Sequence, residues 1–306
     1  MTEQMVDLST YPGFTVDLST YPGFNEPLVP VEAGAAVLAA NPVTGGIRLT
    51  PDWYPHGITV PVPLRLWNAR CLILNGLANA DVLDADFKEK GRQVQRVDKK
   101  LGSVDKSENA WVQLYGSDYT ATTLGPFKAV FTLASVKGDA SGPYFMWRGP
   151  YFGTSLVNKQ FKETVWGVVP NHLAVVETAY AGKRKAVRLL EGDRVALKMI
   201  WNSARIPDLV QVPSHLVFRT VAPGRTTDDG VNDVEMDAIV LKSESSDSPT
   251  FPFDQSNGDE YAPDKNSLLG RDLERIGFRP VSWQCMMNYG GVVKIYDENG
   301  RNSNRR

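Results

Sequence analysis

Lys128 to Val136 reads KAVFTLASV, a run free of Gly, Pro, Asn and Asp in which Val130, Phe131, Thr132 and Val136 supply the β-branched and aromatic side chains that favour extended backbone. Similar short runs lie on either side: Ala110 to Tyr115, Tyr144 to Trp147, Val165 to Val169, Leu173 to Tyr180, Lys185 to Leu190 and Arg194 to Trp201. Ser214 to Val221, Val234 to Lys242 and Val281 to Tyr296 continue the series. Gly, Pro, Asn or Asp separates most of them, the pattern of a mainly β, largely antiparallel protein with few helices. Upstream, Arg70 to Leu77 (RCLILNGL) reads as a strand, and Ala80 to Lys90 reads as a short helix because Val82, Leu83 and Phe87 fall at helical spacing.

The intervening segments read as irregular. Ala35 to Pro63 is rich in Pro, Gly and Asn, including Thr44-Gly45-Gly46 and Pro61-Val62-Pro63, and predicts a long strap without regular structure. Arg92 to Asn109 is charged and predicts a solvated linker or lid, while Thr226 to Gly230 and Ser243 to Asp264 predict exposed loops. At the N-terminus, Val6 to Phe14 and Val16 to Phe24 both read VDLSTYPGF. Two copies are too few for a solenoid, so residues 1–34 are expected to form a mobile arm, 35–300 a single β domain and 301–306 a disordered tail.

Composition narrows the function. Lys plus Arg is 33 against 35 for Asp plus Glu, and the resulting net charge of −2 provides no field for a polyanion, so nucleic acid is not an expected partner. No stretch approaches the roughly 20 apolar residues of a membrane-spanning helix, and the opening MTEQMVD lacks the layout of a secretory signal. A cytoplasmic address with no membrane partner is the expectation. Cys71 and Cys285 stand far apart without a CxxC neighbour and are expected to be free and buried. No GxGxxG after a strand, P-loop, GxSxG elbow or HExxH occurs, so no cofactor and no metal are expected.

Several segments, in order, resemble the acetoacetate decarboxylase superfamily. They are Thr123-Leu124-Gly125-Pro126-Phe127-Lys128-Ala129, then Val136-Lys137-Gly138-Asp139 with Tyr144-Phe145-Met146-Trp147, then Lys162-Glu163 through Trp166-Gly167 to Pro170, and Val212-Pro213-Ser214-His215-Leu216-Val217-Phe218-Arg219. The colinear series spans roughly residues 64 to 296. The resemblance implies an antiparallel, closed conical β-barrel with a buried central pocket, a few covering helices and assembly into homo-oligomers. In decarboxylating members it also implies a lysine that condenses with a substrate ketone, the Schiff base serving as electron sink. This sequence departs there. Where the family carries a lysine pair after a proline, matching on Pro170 gives Asn171 and His172 and matching on Trp166-Gly167 gives Pro170 and Asn171, so neither register supplies a lysine, and Ala129 occupies the place of a motif acid. An amide cannot replace an amine as nucleophile, so no Schiff base is expected at that position.

The candidate catalytic residues are therefore His172, as general base or donor, Asn171, and Arg70, whose guanidinium suits a carboxylate or enolate. Lys128, Arg148 and Glu163 are candidate polar contacts to substrate, with Tyr115, Phe131, Tyr144, Met146 and Trp166 as apolar ones; core packing is the plainer reading of the aromatics and salt bridging that of the charges. His215 reads as a core histidine and His56 as a surface one. Lys159 and Lys162 are the lysines nearest the vanished pair. The leading expectation is an enzyme of specialised metabolism acting on a hydrophobic, carbonyl-bearing small molecule without lysine chemistry: a cyclase, isomerase, dehydratase or pericyclase such as a Diels–Alderase. A decarboxylase or lyase of β-keto acids using a relocated lysine is the alternative, and a non-catalytic small-molecule binder the rival.

Overall fold

The computed structural model describes residues 45–49, 51–54, 56–88, 91–97, 108–137, 144–167, 170–180, 182–203, 210–212, 216–227, 230–245 and 251–296. The duplicated nonapeptide, the tail at 301–306 and His215 lie outside them, and so does the side chain of Tyr144.

The protein is mainly β with three helices among the described residues. The large sheet contains β3 (Leu64–Asn79), β4 (Asn109–Thr122), β5 (Phe127–Val136), β6 (Tyr144–Gly153), β12 (Leu216–Thr227), β13 (Gly230–Ser245) and β16 (Arg279–Tyr296). Neighbours in that order pair antiparallel, apart from a short parallel contact of β6 with β12, and β16 pairs antiparallel with both β13 and β3. β11 (Val210–Val212) and β14 (Phe251–Pro252) add to β13 and β16, and β7 (Asn171–Leu173) runs parallel to β6. A four-stranded antiparallel sheet is ordered β15 (Glu260–Pro263), β10 (Arg194–Asn202), β9 (Arg184–Glu191) and β8 (Val175–Ala179). The helices are α1 (Ala80–Phe87), α2 (Leu156–Val165) and α3 (Leu268–Arg275).

Both faces of the large sheet are covered, and this explains why KAVFTLASV lacks a polar alternation: all but one residue of β5 are buried. One face carries Leu72, Leu74, Leu114, Val130 and Met146, packed against Val187, Leu189, Leu197 and Met199 of the small sheet and against Leu83, Phe87, Leu269 and Leu273 of α1 and α3. Gly116 permits this approach, because a Cβ there would lie 2.5 Å from Val187 Cγ2. The other face carries Phe127, Phe131, Leu133 and Tyr151, packed against Val157 and Phe161 of α2, Trp166, and Leu49, Ile58 and Val60. Cys71 and Cys285 are free and buried, as expected.

Four sequence expectations are corrected. The strand expected at Val165 to Val169 does not begin there: Val165 closes α2 and Trp166 is its C-cap, while 168–169 lie outside the described residues. Ser155 starts that helix by accepting a hydrogen bond from the Asn158 backbone N–H, and tertiary packing of Val157 and Phe161 overrides the β-branched run. The strap of residues 35–63 contains a strand pair, β1 (Gly45–Leu49) with β2 (Ile58–Val62), because Leu49, Ile58, Val60 and Val62 alternate into the core. Within the presumed linker, Val94 is buried and bridges to Val136, and Arg96 bridges to Ala110. The loop at 243–264 contains β14, a single 3-10 turn at Gln255–Asn257, and β15.

Candidate active site

Helix α2 places two polar residues in a buried stripe that otherwise holds Val157 and Phe161: Asn158, 1% exposed, and Lys162, 4% exposed. They are four residues apart and so share one helical face. Strand β6 runs beneath them, and its period of two sends Trp147 and Tyr151 to the same side, with Gly149 (φ 61°) and Pro150 accommodated by a bulge opposite Val130 and Thr132. Lys162 Nζ lies 4.0 Å from the centroid of Trp147, 4.1 Å from Trp166, 4.5 Å from Tyr151 and 6.0 Å from Phe131. The rings also pack on one another: Phe131 stacks on Tyr115 at 4.8 Å and meets Trp147 at 4.4 Å, and Trp166 stands edge-on to Phe161.

Burial in this cage pushes the Lys162 ammonium pKa well below the ordinary lysine value of 10.5. Glu163, its neighbour in sequence, is turned away and pairs with Lys159, leaving Lys162 without a carboxylate partner among the described residues. The ring faces attract a cation and offset part of the desolvation cost. They offer no acceptor with a full negative charge, so desolvation remains the dominant influence and the shift is downward. Burial likewise pushes the Tyr151 and Tyr115 phenols well above their ordinary range, keeping both protonated as donors: Tyr151 Oη donates to Asn158 Oδ1 at 2.9 Å, and Tyr115 Oη to Gln113 Oε1 at 2.8 Å. The second amide atom of Asn158, Nδ2, is buried without a partner, as are the indole Nε1 atoms of Trp147 and Trp166.

The residues singled out from sequence divide between the two faces. Tyr115, Phe131 and Trp166 belong to the cluster around Lys162. Asn171 is paired in register with Tyr151 and donates from Nδ2 to the Lys159 carbonyl at 3.2 Å, which puts it beneath α2 with Oδ1 buried and unpartnered. The rest lie elsewhere. Arg70 faces Asp118 across the β3–β4 ladder, Lys128 faces Asp118 from β5, and Asp118 accepts a hydrogen bond from Thr178 of the small sheet at 3.0 Å. Met146 is in the core beneath the small sheet. Arg148, 5% exposed, bonds Asp272 of α3 at 2.7 Å. His172 stacks on Phe152, a residue of that same core, at 5.3 Å.

Asn158, Trp147 and Tyr151 were not singled out from sequence. The readable signal was two polar residues at core positions of an amphipathic repeat, visible once 156–165 is recognised as a helix. Among the described residues, no helix is long and apolar enough to cross a membrane, and no three His, Cys, Asp or Glu are grouped to hold a metal ion.

Comparison with family models and with curated protein sequences finds no match. Solved structures do match. An acetoacetate decarboxylase superposes with a TM-score of 0.52 and 10% identity, over 77% of this chain and 90% of that one. The acetoacetate decarboxylase of Legionella pneumophila gives a TM-score of 0.44 and 13% identity over 76% and 88% of the two chains. The enduracididine biosynthesis enzyme MppR, complexed with pyruvate, gives 0.46 and 13% over 83% and 96%. The first of these superpositions shows the fold: the chain has an acetoacetate decarboxylase-like fold.

Proposed function

We propose that the protein is an enzyme that forms a Schiff base between Lys162 and a ketone, with β-keto acids as the substrate class and decarboxylation as the reaction. The observation that carries this reading is a lysine, 4% exposed, whose amine is set among four aromatic rings with no carboxylate partner among the described residues. An amine must be unprotonated to attack a carbonyl, and desolvation shifts Lys162 towards that state. We read the circuit of strand pairings through β3, β4, β5, β6, β12, β13 and β16 as the wall of the expected barrel, with Lys162 reaching into it from α2.

The chemistry balances without a cofactor. The Nζ lone pair forms a bond to the ketone carbon while the carbonyl π pair moves to oxygen. Proton transfer from nitrogen to that oxygen gives a carbinolamine, and uptake of a proton from solvent with loss of water gives the iminium. The bond to the carboxylate carbon then breaks, its electron pair moving into the iminium to form an enamine as carbon dioxide departs. Protonation at carbon and hydrolysis return the amine and the ketone. The cage favours this course because the ground-state amine is neutral and the iminium is cationic: Trp147, Trp166 and Tyr151 present π faces to a charge that appears only after substrate condenses.

This reading takes up the relocated lysine in place of the non-lysine cyclase. The cyclase needs Arg70, Asn171 and His172 to converge on one substrate, and of these Asn171 shares the Lys162 face, whereas Arg70 and His172 are on the face towards the small sheet. The test is borohydride reduction in the presence of acetoacetate, followed by intact mass. The reading expects one adduct per chain, absent in Lys162→Met. No adduct on the wild-type protein overturns it.

A further inference from the structure

Asn158 is 1% exposed, lies one helical turn before Lys162 on the same face of α2, and uses one of its two amide atoms. Its Oδ1 accepts the Tyr151 hydroxyl at 2.9 Å, while Nδ2 is buried with no hydrogen-bond partner. A buried amide donor left empty carries a desolvation cost that folded proteins seldom tolerate away from sites of function. Tyr151 is fixed in turn, because its ring lies against the Lys162 amine and 5.7 Å from Trp147 and Phe131. The phenol therefore sets the rotation of the carboxamide and leaves its N–H groups unused on the helix face that carries the amine. Gly153 permits the close approach of this pair to the strand, since a Cβ there would stand 3.0 Å from the Tyr151 ring and 3.7 Å from Asn158 Oδ1.

We propose that Asn158 is a catalytic hydrogen-bond donor: Nδ2–H binds the oxygen of the substrate carbonyl that Lys162 attacks. The inference rests on the Schiff-base reading of Lys162. As the C–N bond forms, the carbonyl π pair becomes an alkoxide lone pair on that oxygen, and Nδ2–H stabilises it without giving up its proton. The proton that completes the carbinolamine comes from the attacking nitrogen. A neutral donor suits this site, because a second cation beside the amine would repel the iminium as it forms. The buried indole N–H groups of Trp147 and Trp166 are further donors for a second substrate oxygen, such as that of a carboxylate.

The experiment follows the rate of borohydride trapping with acetoacetate across pH in the wild type, Asn158→Leu, Asn158→Asp and Tyr151→Phe, with Lys162→Met as control. Asn158→Leu should trap about 10²-fold more slowly, the usual effect of losing one preorganised donor at a developing oxyanion. Asn158→Asp should move the pH profile upwards, because a carboxylate one turn from the amine favours its protonated form. Tyr151→Phe keeps the ring and releases the carboxamide, so a roughly tenfold loss is expected, the scale of one neutral hydrogen bond; this variant serves if Asn158→Leu does not fold. Wild-type trapping with undiminished rates and an unmoved profile in the variants overturns the role of Asn158 and leaves that of Lys162 standing. Absence of trapping in the wild type overturns both.

Discussion

Replacing Lys162 by methionine should abolish covalent chemistry and, at the same time, make the protein more stable. Lys162 is 4% exposed among aromatic side chains and has no hydrogen-bonding or ionic partner among the described residues. Burying a polar group without a partner costs about 1–3 kcal/mol in folded proteins. Methionine has nearly the same length and a thioether that packs well against rings, so it removes this cost without opening a cavity. The expected gain is about 1–3 kcal/mol, and at roughly 2–4 °C per kcal/mol for domains of this size class it raises Tm by a few degrees. The sign of the pH dependence follows from the depressed pKa. In the unfolded chain Lys162 binds its proton at the ordinary value of 10.5, whereas in the folded chain it does so only at lower pH. Between the two values the unfolded state holds more protons, so wild-type stability rises with pH. The advantage of Lys162→Met should therefore be greatest near neutral pH and shrink as pH approaches 10.5. Calorimetric melts of both proteins from pH 6 to pH 10 measure it. A variant less stable than the wild type at neutral pH would refute the reasoning, since it would mean that the cage holds an ammonium ion and gains more from ring–cation attraction than burial costs.

Two further outcomes follow from the division of the candidate residues between the faces of the sheet. His172→Ala and Arg70→Ala should form the borohydride adduct at near wild-type rates, because neither side chain lies on the Lys162 face; a fall of about 10²-fold in either would return it to the catalytic list. Asp272→Ala should cost about 3–5 kcal/mol in chemical denaturation, because it leaves the Arg148 guanidinium, 1% exposed in its side chain, with the more distant Asp86 at 3.7 Å as its carboxylate and the Thr132 hydroxyl at 3.3 Å, and it should still form the adduct below its melting transition.

Much of the sheet was legible because its strands are short runs of β-branched and aromatic residues broken by turn formers, and β4, β5, β9, β10 and β16 begin or end within a few residues of the expected positions. The extent of β3 was not, since only its centre is continuously apolar and its first residues pair through bulges that mix polar and apolar positions. The β1–β2 pair was hidden by its glycines and prolines, because a two-stranded edge pair tolerates them where a central strand would not. The site was lost for a related reason. Val165-Trp166-Gly167 reads as extended, so Lys162 had no defined direction, and it gained one only from the helix that Ser155 caps and Phe161 anchors. The sequence did name Lys162 among the replacements for the missing pair, but its aromatic surroundings are assembled only by the fold: Trp147 and Tyr151 come from β6, which turns back under α2, Trp166 from the helix's own C-cap, and Phe131 from β5, brought to it by the sheet.

The central claim is that Lys162 is an unprotonated nucleophile in the folded protein. Acetylacetone tests it most directly, because this 1,3-diketone condenses with a neutral amine to an ultraviolet-absorbing enaminone and spares an ammonium ion. The protein should acquire one such chromophore, located by peptide mapping to Lys162, with a pH midpoint for its formation well below 10.5 and no chromophore in Lys162→Met. Modification scattered over exposed lysines, or a midpoint at the ordinary lysine value, would contradict the account.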